Sequence, residues 1–318
     1  MRAVTVVDGA LEWREHPDPE PGSGELLVAV RAAGLNGADM HQRHGLYPAP
    51  PGSPADIPGL ELAGEVVATG HGVARFDTGD RVMAIVGGGG QAELAVVHER
   101  VAMAVPDGLG WPEAGGFPEV FITAHDALFT QAGLTVGERA VVHGAAGGVG
   151  IAGVQLAARA GARIVATVRN QALRSEVAEI GGRCGHVAVV APADFTTHGP
   201  FDVVLELVGA PNIAADLDAL AIGGRIAVIG VGAGGQAEVN LVALMTKRGR
   251  MHASMLRNRP LEQKADASQR VERSVVPLLA TGDVRVPVSE TFPMAGAEAA
   301  YDRFAAGGKL GKIVLVNA

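Results

Sequence analysis

A single cysteine, Cys184, stands in a chain of 318 residues. No intramolecular disulfide can form, and a four-cysteine structural zinc site is excluded. That scarcity agrees with a reduced, cytoplasmic setting, which is the expected location. Aromatic residues are sparse at 4%, and charged residues make up 19%. No uninterrupted apolar run is long enough to span a bilayer. The N-terminus meets the turn Asp8-Gly9 at once, which leaves no room for the apolar core of a secretion signal. Positive charge is also in short supply. The formal net charge of −8 argues against a protein that tracks nucleic-acid phosphates. No repeat of solenoid period is present.

Hydrophobic residues and glycine are abundant, with 48% of the former and 45 glycines. The length suffices for two domains. The first third reads as short strands between Gly and Pro clusters. Val4 to Val7, Asp8-Gly9 and Leu11 to Trp13 predict a hairpin. Further strands are expected at Leu26 to Arg31, Glu65 to Ala68, Arg81 to Val86 and Leu94 to Val97. The middle third alternates apolar strands with helices. Its strands are expected at Ala140 to His143, Arg163 to Val168, Val187 to Val190, Phe201 to Leu207 and Arg225 to Ile229. Near-continuous apolar strands separated by helices predict a parallel sheet covered on both faces. Glu262 to Leu279 is expected as helix, and Lys312 to Val316 as a last strand that rejoins the first domain. The fold class is therefore α/β. A β-rich domain, 1–117 with 254–318, is interrupted by a doubly wound Rossmann domain, 118–253.

The densest signal is the run His143-Gly144-Ala145-Ala146-Gly147-Gly148-Val149-Gly150, between an apolar strand and the helical pattern Ile151 to Ala160. Strand, glycine turn and helix form the context of a dinucleotide-binding turn. The glycines let backbone approach a pyrophosphate, and the helix start faces the negative charge. Ala145, Gly147, Gly148, Val149 and Gly150 are accordingly cofactor-binding candidates. The second strand ends Ala166-Thr167-Val168-Arg169-Asn170, with no Asp or Glu to hold a ribose diol. Arg169 suits a 2′-phosphate by charge and donor geometry, which favours NADPH over NADH. A solvated arginine after a strand is the competing reading. Asn170 belongs to the same turn, and Arg174 is a second candidate that would otherwise face solvent from its helix.

Several segments together resemble a known family. They are Gly34 to Asp39, Gln42 to Pro48, Pro58 to Val66, Gly79 to Val82, Gly88 to Glu93, Pro118-Glu119, Ser254 to Arg257 and Gly311 to Leu315. The chain resembles, nearly end to end, the zinc-independent medium-chain dehydrogenases/reductases of the quinone oxidoreductase (zeta-crystallin-like) type. The resemblance implies a GroES-like catalytic domain, a Rossmann domain and a homodimer. It also implies hydride transfer from NADPH to a small-molecule quinone, or to the C=C of an α,β-unsaturated carbonyl. Zinc-dependent relatives hold their metal with a Cys and a Gly-His-Glu segment. The matching stretches here are Asn36 to Asp39 and Gly59-Leu60-Glu61, so no metal is expected.

By the same resemblance, Asn36 and Thr123 lie near the nicotinamide, and Tyr47 lines the substrate loop as a lid and hydrogen-bond donor. Gly230, Val231, Arg257 and Lys312 lie near the cofactor. Each has a plainer reading: turn residue for Asn36, helix-surface hydroxyl for Thr123, surface charge for Arg257 and Lys312. The sequence departs from the family at Leu173 and Val190, where a Lys and a Tyr are common, and at His125 and Val231, where aromatics are common. Two further functions remain open. One is an enoyl reductase of a biosynthetic pathway, and the other is an NADPH-binding structural or regulatory protein without turnover.

Overall fold

The computed structural model describes residues 1–317. Two compact units emerge, Met1–Ile122 with Leu256–Ala318, and Thr123–Met255. The first division falls inside the helix Pro118–His125. Pro118 to Ile122 therefore belong to the first unit, although the sequence alone suggested a break before Pro118. Ser254 and Met255 likewise belong to the second.

The first unit opens with a hairpin of β1 (Arg2–Val7) and β2 (Ala10–Glu15). Val7 pairs with Ala10, so Asp8 and Gly9 alone form the turn. Both have positive φ, 50° and 82°. That is the geometry a two-residue turn needs to match strand twist, and an Asp-Gly pair adopts it readily. The main sheet of the unit uses β3 (Glu25–Gly34), β4 (Glu61–Thr69), β5 (Arg81–Ile85), β6 (Leu94–His98) and β7 (Ala102–Ala104). Its inward side chains alternate with outer ones along β3, as a half-buried strand requires.

The second unit carries β8 (Arg139–Val142), β9 (Arg163–Thr167), β10 (Val187–Val190), β11 (Phe201–Glu206), β12 (Leu220–Val228) and β13 (Arg250–Ala253). They form one sheet in the order β10-β9-β8-β11-β12-β13 with every pair parallel. Counted from β8, this is the doubly wound order 3-2-1-4-5-6. Ala140, Val141 and Val142 are fully buried, because helices cover both faces of the central strands. Arg225 on β12 ties this unit together. It donates to Glu138 through two nitrogens, at 2.7 and 2.9 Å, and to the carbonyls of Ala132 and Gly133.

The chain then returns to the first unit with β14 (Val288–Pro293) and β15 (Lys312–Val316). β15 pairs antiparallel with β3, closing the sheet β14-β15-β3-β4-β5-β7. The expected helix from Glu262 to Leu279 is in fact two, Leu261–Ser274 and Val276–Ala280. Pro277 lies in the first turn of the second helix, where its missing N–H costs nothing, and it cannot continue the first. β13 was not expected from sequence. Its segment Arg250-Met251-His252-Ala253 lacks the apolar run of the inner strands, since it lies at the sheet edge. Among the described residues, no helix is long and apolar enough to cross a membrane.

Candidate active site

In the second unit the glycine run does what its composition suggests. Gly144 has φ of 62°, and its carbonyl accepts from the Gly147 N–H at 2.9 Å. The helix Gly148–Arg159 follows, starting three residues earlier than its apolar pattern, inside the glycines themselves. No side chain caps it. Ile151 N–H bonds to Gly147 O at 2.8 Å, and the N–H groups before it belong to the open first turn. A Cβ on Gly150 would lie 2.3 Å from Gly144 O and 2.7 Å from Ala145 Cα, so this glycine is what lets the helix seat against the turn. Ala145 N–H is held by Thr167 O at 3.1 Å. The turn lies at the carboxyl end of β8, beside the β8/β11 switch point, where doubly wound sheets bind ligands. An uncapped helix start on a glycine turn fits a dinucleotide pyrophosphate.

Beyond β9, Arg169 and Asn170 are exposed. Asn170 Oδ1 caps the next short helix by accepting from Ala172 N–H. Arg174 Nε donates to Val168 O at 3.0 Å, which steadies its guanidinium over the strand end. After β12, a Cβ on Gly230 would lie 2.5 Å from Leu207 O, and Val231 is half exposed. Thr123 Oγ1 is buried without a hydrogen-bond partner among the described residues. Such an orphan hydroxyl is the kind of group a bound ligand satisfies.

Beneath the glycine turn lies a polar group that sequence reading passed over. His143 Nε2 meets Asp216 Oδ1 at 2.8 Å, and His143 Nδ1 meets Thr167 Oγ1 at 3.1 Å. Glu206 stands close to His143 and Asp216 and accepts N–H groups from Val208, Gly209 and Asn212. Burial holds its carboxyl above the ordinary range. His143, Glu206 and Asp216 are the one grouping of three metal-capable side chains among the described residues. Its histidine nitrogens are both engaged, so it ties β8, β9 and the helix Ile213–Asp218 together.

The first unit holds the second half of the candidate set. Asn36 caps the helix Gly37–Arg43 in a reciprocal box with Asp39. Its side-chain amide donates to Glu61 Oε1 at 3.0 Å and to Gly34 O at 3.2 Å, and its oxygen accepts from Lys312 Nζ at 2.7 Å. Lys312 Nζ also donates to Leu35 O at 2.7 Å and meets Glu61 Oε1 at 2.6 Å. The three donors of that ammonium are thus occupied inside the unit. This differs from the expectation that Lys312 attends the cofactor: the residue is 2% exposed and serves as an internal counter-charge.

Arg257, a second expected cofactor contact, is 3% exposed. It donates to Gly87 O, Tyr47 O and Gln42 Oε1, and its guanidinium stacks 5.0 Å from the Tyr47 ring centre. It therefore clamps the Tyr47 loop. Burial pushes the Tyr47 phenol up, with the Glu119 charge adding to it.

Three acids complete the group. Glu61 is fully buried, and its second oxygen accepts the Glu119 N–H at 2.8 Å. Asp39, also fully buried, accepts N–H groups from Asn36 and Gly59, yet burial lifts its pKa to about 7. Burial, then the nearby Glu61 charge, lifts Glu119 to about 8. None of the three was singled out from sequence as a site residue. The available signal was a lone acid in an apolar strand, Leu60-Glu61-Leu62, and one after a proline, Pro118-Glu119.

Comparisons with known proteins identify the family and the fold. Residues 22–131 match the alcohol dehydrogenase GroES-like domain, and residues 184–315 match the zinc-binding dehydrogenase family. A quinone oxidoreductase of Pseudomonas aeruginosa is 32% identical, over 96% of this chain and 95% of that protein. Erythronolide synthase EryA2 of Saccharopolyspora erythraea is 34% identical over 98% of this chain, which spans only 8% of that synthase. Among solved structures, a mycobacterial protein complexed with NADPH superposes with a TM-score of 0.86 at 25% identity, covering all of both chains.

Proposed function

Because the chain belongs to the quinone oxidoreductase family of medium-chain dehydrogenases/reductases, we propose that it is an NADPH-dependent reductase of quinones or α,β-unsaturated carbonyls. The observation that carries the cofactor is the uncapped helix start on the Gly144–Gly150 turn at the switch point of the parallel sheet. The mycobacterial neighbour with the same fold is complexed with NADPH, which supports the same choice. Gly147, Gly148, Val149 and Gly150 would present backbone to the pyrophosphate, with Ala145 holding the turn. Arg169, aided by Arg174 and Asn170, would meet the 2′-phosphate. Gly230 and Val231 would edge the nicotinamide, and the orphan Thr123 hydroxyl would hydrogen-bond near it. Bound NADPH supplies the hydride, so the chain's task is to orient the acceptor and keep water out.

The reaction runs without zinc in this reading. Asn36 and Glu61, in the stretches that match the Cys and the Gly-His-Glu segment of zinc-dependent relatives, already share the Lys312 ammonium. Asp39 is taken up by two backbone N–H groups. A dication would have to displace a buried lysine, and soft ligands are lacking. These residues do not fit a metal. Tyr47, fixed by Arg257, acts as a lid that stacks on a flat acceptor and hydrogen-bonds its oxygen. The working form is taken to be a homodimer.

The match to erythronolide synthase favours a second reading, in which the acceptor is the C=C of a biosynthetic enoyl intermediate. A panel of quinones, enones and enoyl thioesters, assayed with NADPH and NADH, separates the two. Arg169→Ala should raise the KM for NADPH by ten-fold or more, roughly the loss of one charge-assisted contact of about 1.5–3 kcal/mol. The KM for NADH should hardly change. Equal effects on both cofactors would remove Arg169 from the phosphate site. Tight NADPH binding with no turnover on any acceptor would instead mark a structural or regulatory protein.

A further inference from the structure

The buried polar cluster beneath the glycine turn is a poor device for stability alone. Asp216 is fully buried, and its Oδ2 has no hydrogen-bond partner among the described residues. Apolar side chains of similar volume often stabilise a core as well as a buried pair of this kind, or better. We propose that His143 and Asp216 are positioning residues of the cofactor site, which set how tightly the Gly144–Gly150 turn holds a pyrophosphate. This rests on the NADPH reading above.

The imidazole is fixed from three sides. Its Nε2 meets Asp216 Oδ1 at 2.8 Å, and its Nδ1 meets Thr167 Oγ1 at 3.1 Å. The Phe195 ring stands edge-on to it, with 4.7 Å between centroids. A carboxylate only accepts, so Nε2 carries a hydrogen and donates it to Asp216. His143 is fully buried, which shelters both bonds from bulk water.

Those contacts reach the turn directly. His143 is the residue before Gly144, and its N–H is held by Leu205 O at 3.0 Å. Thr167 takes the imidazole through its hydroxyl and the Ala145 N–H through its carbonyl, at 3.1 Å. The residues on both sides of Gly144 are therefore pinned to one residue of β9. The other wall of the switch point belongs to the same cluster. Glu206, at the end of β11, accepts the N–H groups of Val208 and Gly209, and a Cβ on Gly144 would lie 3.6 Å from the Val208 side chain. Asp216 joins from the helix Ile213–Asp218.

The open helix start at Gly148 follows the turn, so a shift of His143 carries its N–H groups with it. Hydrogen bonds weaken steeply as they bend, and a displaced turn loses hold of the anion. The pyrophosphate is common to NADPH and NADH, whereas Arg169 is assigned only the 2′-phosphate. Loss of the pair should therefore weaken both cofactors alike.

The test measures Kd for NADPH and for NADH by fluorescence titration, together with Tm, in wild type, Asp216→Ala, Asp216→Asn, Thr167→Val and Asp218→Asn. Asp216→Ala should raise both Kd values by about ten-fold or more, as expected for the loss of one hydrogen bond to a charged group. Asp216→Asn keeps an acceptor for the Nε2 hydrogen and should recover most of that loss. Thr167→Val keeps the branched shape a strand favours and removes only the hydroxyl. It should weaken both cofactors together, and it carries the test if Asp216→Ala does not fold. Asp218→Asn alters an exposed carboxylate on the same helix and should leave both Kd values unchanged. A purely structural pair would lower Tm and leave the affinities of the folded variants at wild-type level, and that result overturns the proposal. So does a loss confined to NADPH, an Asp216→Asn protein no better than Asp216→Ala, or an equal loss in Asp218→Asn. If wild type binds neither cofactor, the NADPH reading has failed, and the positioning role falls with it.

Discussion

Lys312→Met should destabilise the first unit by about 3–5 kcal/mol, the usual result of stripping one partner from a buried ion pair. Glu61 is fully buried and Lys312 nearly so, at 0% and 3% side-chain exposure, and they meet at 2.6 Å. Removing the ammonium also frees Leu35 O and Asn36 Oδ1 from their 2.7 Å donors. Glu61→Gln with Lys312→Met should recover most of the loss, because a neutral amide still accepts the Glu119 N–H and needs no counter-charge. Urea midpoints for wild type, Lys312→Met and the double variant measure the loss and its recovery. A single variant within about 1 kcal/mol of wild type, or a double no better than the single, would show that Lys312 is not the counter-charge.

Gly150→Ala should weaken NADPH binding by about tenfold or more and cost the second unit about 1–3 kcal/mol. The new Cβ would lie 2.3 Å from Gly144 O, 2.7 Å from Ala145 Cα and 2.9 Å from Gly144 C. All three are backbone atoms of the turn that would hold the pyrophosphate, so no side chain can swing aside to make room. The helix must move off the strand and take its open N–H groups with it. Gly182→Ala is the control, since nothing lies within 4 Å of a Cβ there. It should be neutral or stabilising by about 0.4–1 kcal/mol through the unfolded chain. NADPH titration by fluorescence, with thermal unfolding of both variants, reads the contrast. Unchanged NADPH affinity in Gly150→Ala would remove the turn from the cofactor site.

Local patterns made much of the fold legible. The Asp8-Gly9 hairpin, the apolar strands β8 to β11 and the glycine turn are short-range features, and each announces itself within a few residues. β13 was missed because an edge strand lacks the apolar run of an inner one. The two helices at Leu261–Ser274 and Val276–Ala280 were read as one because Pro277 interrupts a continuing apolar pattern.

The candidate site divides along the same line. Arg169, Asn170 and the glycines stand next to the strands that define them, so spacing alone nominates them. Lys312 and Arg257 were placed beside the cofactor by resemblance, and the structure puts both in the interior of the first unit. Lys312 is joined to Asn36 across 276 positions of sequence, and Arg257 to Gln42 across 215. A charge's role depends on which other charges are brought against it, and local sequence does not contain that distance.

By itself, then, the sequence determined the α/β class, the strand–glycine–helix turn and the absence of cysteine ligands, because covalent connectivity and hydrophobic period suffice for those. Tertiary structure decided which ions are counter-charges and which carboxyls burial lifts above their ordinary range. Desolvation and Coulomb energy depend on surroundings, and the surroundings of Glu61, Asp39 and Glu119 come from β4, β15 and two helices far apart in the chain.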